Sequence, residues 1–364
     1  MQDSYGTVLR LTVCGESHGK EISARLTGIP AGVPVPHTAI RRALDRRAPK
    51  PGLGTARREA DEYRIAEGIS NDLTTGEPLT LVIPNRDVDP SAYQNVLTCP
   101  RPGHGDYPVL VRDGKIPSGG GHYSGRLTAA IVAACAFFTE ALLKKGIVIA
   151  AHLLSVGQVQ DRLISDVFAD SALLSDADFP TVDETAGNEM QALIRKTAAE
   201  GDSIGGIVEV VIGGVPAGVG EPWFDTTEGE LAKVAFSIPG VKGVSFGDGF
   251  SFGSARGSEV VDAIRLTENG VTVGPHNGGI NAGLTNGDRI RMLLAVKPTP
   301  TISKPVETVD FSKNENVTIT YRGRHDPCIA PRVCPVAEAL SALAVSDLLV
   351  RRYGTAWLFS EKTV

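Results

Sequence analysis

Between Ser124 and Lys145 the chain reads as a helix that is apolar on most sides. Alanine and leucine dominate it, with Phe137 and Phe138 adjacent. Ser124 is the expected N-cap and Gly146 the expected C′ residue, and Lys144 and Lys145 suit the negative end of the helix dipole. A surface helix carries one apolar stripe, so a helix that is apolar nearly all round belongs inside a core. Its most apolar part, Leu127 to Leu143, contains Thr128, Thr139 and Glu140 and falls short of a membrane span.

The chain is long enough to build such a core. It has 364 residues, 42% of them hydrophobic, which permits one large domain or two ordinary ones. A net charge of -6 argues against a general nucleic-acid binder. No basic, apolar leader opens the chain, so no secretory signal is expected. The five cysteines, Cys14, Cys99, Cys135, Cys328 and Cys334, are odd in number, widely spaced and without a CxxC pair. That pattern favours reduced thiols in a cytoplasm over a disulfide framework or a metal site. Cys14 and Cys328 are read as small packing residues.

Around the central helix the pattern alternates between strands and helices. Strands are expected over Val8 to Val13, Ile22 to Leu26, Leu79 to Ile83, Ile147 to Ser155, Ile207 to Ile212, Arg289 to Val296 and Asn316 to Tyr321. Helices are expected over Thr38 to Arg47, Gln191 to Ala199, Glu228 to Phe236 and Val336 to Arg352, the last ending at Gly354. The polar, acidic stretch from Gln158 to Glu189 reads as a surface insertion with a short helix. With no repeat and no linker, the simplest account is a single α+β domain over 1–364.

Three of the seven histidines sit in glycine- and arginine-framed loops: Gly15-Glu16-Ser17-His18-Gly19, Arg101-Pro102-Gly103-His104-Gly105-Asp106 and Gly323-Arg324-His325-Asp326-Pro327. Imidazole moves protons near neutral pH, and glycine and proline shape backbone that a ligand approaches closely. Gly119-Gly120-Gly121 opens the central helix, and Arg126 adds a charge in its first turn, a combination suited to an anion. Arg41, Arg42, Arg46, Arg47, Arg57 and Arg58 form a cluster. Most of these are read as a solvated face paired with Asp45, Glu59, Asp61 and Glu62, and one or two are expected to face the site. Lys297 to Thr301 is a proline-stiffened loop with one cation and two hydroxyls. These residues describe an enzyme that binds a polyanionic small molecule, with histidine acids and a carboxylate base.

GESHG (15–19), DRR (45–47), RREAD (57–61), TTG (74–76), RPGHGD (101–106), GGGHYSGR (119–126), SIPGVKG (237–243), KPTPT (297–301) and GRHDPC (323–328) follow the order and spacing of the chorismate synthase family. The chain resembles that family from Thr7 to Arg351. The resemblance implies a β-α-β sandwich, with helices between two antiparallel sheets, that assembles as a cytoplasmic homotetramer. It implies a carbon–oxygen lyase that removes phosphate from 5-enolpyruvylshikimate 3-phosphate by anti-1,4-elimination, giving chorismate at the last step of the shikimate pathway. The family needs reduced FMN, for which NADPH is a candidate reductant, and neither a nucleic acid nor a membrane partner is expected. By resemblance His104 is the acid at the leaving phosphate, His18 protonates the reduced flavin, and Asp326 assists deprotonation at the flavin nitrogen. Ser17, Arg47, Ser124, Arg126 and Arg332 match residues around the substrate. His122, Tyr123, Ser124, Pro239, Gly240, Ala282, Lys297, Pro298, Thr299, Pro300, Thr301 and Arg324 match the flavin cradle.

The chain departs from the family in three places. His122-Tyr123 stands where many members have Arg-Ser, and Gly105 stands where alanine is usual. The stretch between Arg47 and Arg57 is one residue shorter than in some relatives and lacks a clear match for an arginine linked to the nicotinamide cofactor. Two competing functions follow: an FMN- or anion-binding paralogue without turnover, and an NADPH-dependent flavin reductase.

Overall fold

The apolar helix lies at the centre of the molecule. The computed structural model describes residues 3–54, 61–86, 98–268, 270–321 and 326–360. Its helices are α1 (His37–Arg47), α2 (Asp106–Asp113), α3 (Thr128–Lys144), α4 (Val167–Asp176), α5 (Glu184–Ala199), α6 (Thr227–Ser237), α7 (Ala330–Tyr353) and α8 (Thr355–Phe359). A 3₁₀ turn, Gly125–Leu127, leads into α3, and the Ser124 side chain accepts from the Arg126 N–H in that turn. Gly146, at φ +72, closes the far end, where its N–H and that of Ile147 reach the carbonyls of Leu143 and Leu142. Twelve of the 17 residues of α3 are buried, as its missing polar face requires.

Two five-stranded antiparallel sheets enclose a helical layer. The first runs in the order Ser4–Tyr5, Arg10–Gly15, Glu21–Thr27, Leu79–Pro84, Arg64–Glu67. The second runs Val159–Gln160, Val148–Val156, Gly206–Gly213, Ile290–Val296, Val241–Phe246. α3 packs on α1 and α7 and touches strands of both sheets, while α7 lies along the second sheet. Besides α7, the 3₁₀ turn and α3 together (Gly125–Lys144) are long and apolar enough for a membrane span, but they are 72% buried and α7 is 94% buried, which makes them core elements here.

The stretch from 158 to 189 carries the short helix α4. α4 and Ile164 cover the outer face of the second sheet, where Ile164, Val167 and Leu174 bury against Ala150 and Val211. The neighbouring Ala151 and Val210 face the main core, as the two-residue period of a strand demands. Two helices begin earlier than expected. α5 starts at Glu184, with the Asp183 side chain accepting from Ala186 N at 2.8 Å. Its start is masked in the sequence by Gly187, where a Cβ would fall 2.3 Å from Thr181 Oγ1. α7 starts at Ala330, because Pro331 fits a first turn and Pro335 is carried inside the helix with one missing N–H. All five cysteines are free thiols, and four of them are buried.

Candidate active site

One cleft of about 410 Å³ collects residues from widely separated stretches of the chain. That volume suits a small-molecule site. Ser17, His18, Arg47, His104, Tyr123, Ser124, Arg126, Pro239, Gly240, Asp326 and Arg332 line it, together with the whole run Lys297, Pro298, Thr299, Pro300 and Thr301. Two expected residues stand outside it. The His122 ring turns away, with Nδ1 2.8 Å from Gly15 O and Nε2 3.4 Å from the Asp3 carboxylate. Ala282 occupies a tight turn at φ +53 between Ile280–Asn281 and Leu284–Thr285. Arg324 and His325 lie outside the described residues, as do Arg57 and Arg58.

The floor of the cleft is built from helix ends. Arg47 is the last residue of α1, Arg126 precedes α3, and Arg332 lies in the first turn of α7. Asp61 joins the first two: its Oδ2 lies 3.1 Å from Arg47 Nη1, and its Oδ1 accepts from Arg126 Nη1. Arg47 Nε also donates to Thr128 Oγ1 at 3.1 Å. Arg332 pairs with Asp326 at 2.8 Å and donates to the Arg47 carbonyl at 3.2 Å. Burial, then repulsion from Arg332, push the Arg47 guanidinium down to about 9 against the pull of Asp61. A bound anion would relieve that cost. Five cations, Arg47, Arg101, Arg126, Lys297 and Arg332, line the cleft against the carboxylates Asp61 and Asp326, although the chain as a whole is acidic.

The histidines enter from turns. His18 sits at the tip between Arg10–Gly15 and Glu21–Thr27, with Nδ1 3.1 Å from Ser118 Oγ. Ser17 N–H donates to Gly121 O, and Ser17 Oγ donates to Gly119 O, both at 3.1 Å. The triple glycine is required for this fit: Gly119, Gly120 and Gly121 all have positive φ. A Cβ on Gly119 would lie 2.6 Å from His18 Nε2. Gly119→Ala is therefore expected to cost about 1–3 kcal/mol in stability through its φ of +60. It should also lower turnover at least tenfold by displacing His18, a loss that thermal unfolding and steady-state kinetics would separate. Turnover unchanged in a folded variant would remove His18 from the chemistry.

His104 enters on the loop before α2, and a Cβ on Gly120 would lie 3.9 Å from its Cε1. Its Nδ1 lies 2.7 Å from Asp106 Oδ1, and Asp106 in turn takes a two-point bond from Arg101, at 2.7 and 2.9 Å. Burial pushes the Asp106 carboxyl up, but the hydrogen bonds from Arg101 and His104 outweigh it and hold the group well below the usual carboxylate range. Tyr321 Oη anchors this wall by donating to the Cys99 and Pro100 carbonyls, beside a small apolar cluster of Ile116 and Tyr321 packed by Leu110, Val306 and Ile319. Ile238, Ile329, Val333 and Val336 supply an apolar surface facing the Lys297–Thr301 loop. Within that loop Thr299 Oγ1 is buried and has no hydrogen-bond partner.

Sequence patterns did not single out Asp61, Asn85, Arg101 or Asp106 for a role. Asn85 links the two halves of the floor: its Nδ2 donates to Glu16 O and Gly19 O, and its Oδ1 accepts from Arg126 Nε at 3.0 Å. Asp61 does pair with arginine, as charge spacing suggests, but it does so inside the cleft at 5% exposure. In the arginine cluster, Arg41 and Arg42 form exposed pairs with Asp45 and Asp176, Arg46 pairs with Glu338, and Arg47 faces the site. Cys328 is buried and its thiol is pushed up to about 12 by that burial, so it is a packing residue.

A family model described as chorismate synthase matches residues 9–350. The chain is 43% identical to a chorismate synthase of Pyrococcus abyssi, across 95% of this chain and 98% of the relative. It is 40% identical to one from Korarchaeum cryptofilum, across 96% and 98%. A crystal structure of a chorismate synthase superposes with a TM-score of 0.74 at 28% identity, covering 96% of this chain and 94% of that one.

Proposed function

The chain belongs to the chorismate synthase family, and on that premise we propose that it converts 5-enolpyruvylshikimate 3-phosphate to chorismate and inorganic phosphate. In this anti-1,4-elimination the C–O bond to phosphate and one ring C–H bond break, with no net redox change. The observation that carries the reading is the meeting of His18, His104 and Asp326 in one cleft whose cations outnumber its carboxylates. A substrate with one phosphate and two carboxylates matches that excess, and arginine's planar fork suits both groups.

Reduced FMN fits the same cleft. The apolar wall of Ile329, Val333 and Val336 faces a polar loop whose Thr299 hydroxyl lacks a partner, an arrangement suited to a flat ring with polar edges. Lys297 to Thr301, Pro239, Gly240, Tyr123 and Ser124 would hold it. What the flavin supplies when bound is transient electron density as phosphate leaves and a nitrogen that takes the ring hydrogen. The protein's own groups do the rest. His104 would deliver a proton to the departing phosphate, Arg47, Arg126 and Arg332 would hold the anionic groups, His18 would supply a proton on the flavin side, and Asp326, held by Arg332, would assist deprotonation at the flavin nitrogen rather than take the ring hydrogen itself. The same family reading assigns the chain to the lyases and to a cytoplasmic homotetramer.

The test is anaerobic turnover of the substrate with FMN reduced by dithionite, following chorismate by absorbance. Chorismate is expected in stoichiometric yield with phosphate. FMN and substrate binding without product would instead make the chain a binding paralogue. Replacing dithionite with NADPH then decides whether the enzyme reduces its own flavin, and NADPH oxidation without elimination would make it a flavin reductase.

A further inference from the structure

His104 is held from behind by one carboxylate. Asp106 is 2% exposed, opens α2, and places Oδ1 2.7 Å from His104 Nδ1. Its Oδ2 is occupied by the Arg101 backbone N–H at 3.0 Å and Arg101 Nε at 2.7 Å. Arg101 Nη2 also comes within 3.2 Å of His104 Nδ1 and 2.9 Å of Asp106 Oδ1. A cation cannot donate to a ring nitrogen that already bears a proton. The nearer, ionised carboxylate therefore takes the Nδ1–H, and Arg101 serves the carboxylate.

We propose that Asp106 is a positioning residue for the elimination: it keeps the proton of His104 on Nδ1, so that the opposite ring nitrogen, Nε2, is the one presented to the leaving phosphate. This rests on His104 being the phosphate-side acid. The arrangement gives the imidazolium a fixed orientation and a charge partner that does not itself titrate away. Neutral imidazole with its proton on Nε2 hydrogen-bonds to a phosphate oxygen but is a far weaker acid than imidazolium. The tautomer and the charge partner thus matter more than the ring's presence alone.

The substitution that tests this is Asp106→Asn. Two Arg101 donors, the backbone N–H and Nε, meet Oδ2 against one at Oδ1, so the asparagine oxygen takes the Oδ2 place and its NH₂ the Oδ1 place facing His104, which drives the ring proton to Nε2. Turnover of the flavin-loaded enzyme is expected to fall roughly 100- to 10,000-fold, with substrate KM changing less than about threefold. In a His104→Ala background the same substitution should change turnover by less than about twofold, because Asp106 then has no imidazole to act through. A merely structural Asp106 would lower stability and turnover equally in both backgrounds, and that result overturns the proposal. Wild-type turnover in Asp106→Asn, with His104→Ala impaired, also overturns it while leaving the role of His104 intact. Wild-type turnover in His104→Ala removes the premise instead. A readout that needs no variant is the ¹⁵N spectrum of neutral His104 in the resting enzyme. Nδ1–H is expected, and Nε2–H would refute the proposal even if Asp106→Asn fails to fold.

Discussion

His104→Ala is expected to lower turnover about 100- to 10,000-fold while leaving substrate KM within a few-fold. The asymmetry follows from the geometry of the cleft. On the proposed function, the ground-state charge of the substrate would be met by Arg47, Arg126 and Arg332, which are anchored on α1, the turn before α3 and the start of α7. Their partners include Thr128, Asp61, Asn85 and Asp326, none of them on the His104 loop. What the imidazole adds is a proton at the oxygen whose charge grows as the C–O bond breaks, a contribution made in the transition state and absent from substrate binding. Steady-state kinetics with chemically reduced FMN separate the two quantities. A tenfold or larger rise in KM with turnover preserved would move His104 from the chemistry to anion binding.

The largest effect on stability is expected far from the cleft, at His152. This side chain is fully buried between two carboxylates, with Nδ1 3.1 Å from Asp161 and Nε2 2.8 Å from Glu209. Glu209 also accepts from Ile164 N, and its other oxygen lies 2.8 Å from Arg291 as a charge pair without hydrogen-bond alignment. Asp161 accepts from the backbone N–H groups of Arg162, Val182 and Asp183. The imidazole therefore clasps the 161–183 segment to the second sheet. Burial alone lowers the proton affinity of His152, but its two carboxylate partners reverse this and raise it above the ordinary value. His152→Ala leaves two buried carboxylates without their shared cation and should cost about 3–5 kcal/mol, read as a lower urea midpoint. The sign of the pH dependence follows from the raised affinity. The contribution is complete below the unfolded histidine value of 6.5 and is lost as pH rises through the higher folded value. Wild-type stability should thus decline on the alkaline side, and His152→Ala should lack that decline. A variant as stable as wild type at pH 6 would mean the imidazole is not charged in the fold.

Much of this molecule was legible in its residues, and the failures share a cause. The central helix, its Ser124 and Gly146 ends, and most strands followed from apolar spacing and caps, because these are local signals. In the stretch after Gln158 the short helix was expected but its buried face was not, because Ile164, Val167 and Leu174 are thinly spread among polar residues that turn out to be anchors. Asp161 and Asp170 look like solvated acids until their partners, His152 in one case and Arg162 in the other, are in view. In the cleft, the proton-bearing and phosphate-seeking residue types announced themselves. The carboxylates that orient them did not, since Asp61 beside arginines reads as an ordinary surface pair. His122 shows the converse: it sits in the matching motif, and its ring holds Gly15 and Asp3.

The two walls of the cleft belong to cores of unequal size. The arginine floor is fixed to α1, α3 and α7 and shares the main apolar cluster, whereas the His104 wall hangs on a cluster of two buried side chains and three partly buried ones. A unit held by so little apolar area opens at lower free energy than the body it closes on. On the proposed function, the loop that carries His104 is expected to part from the cleft more readily than the arginine floor, read as faster amide exchange over 101–116 than in α1, α3 and α7.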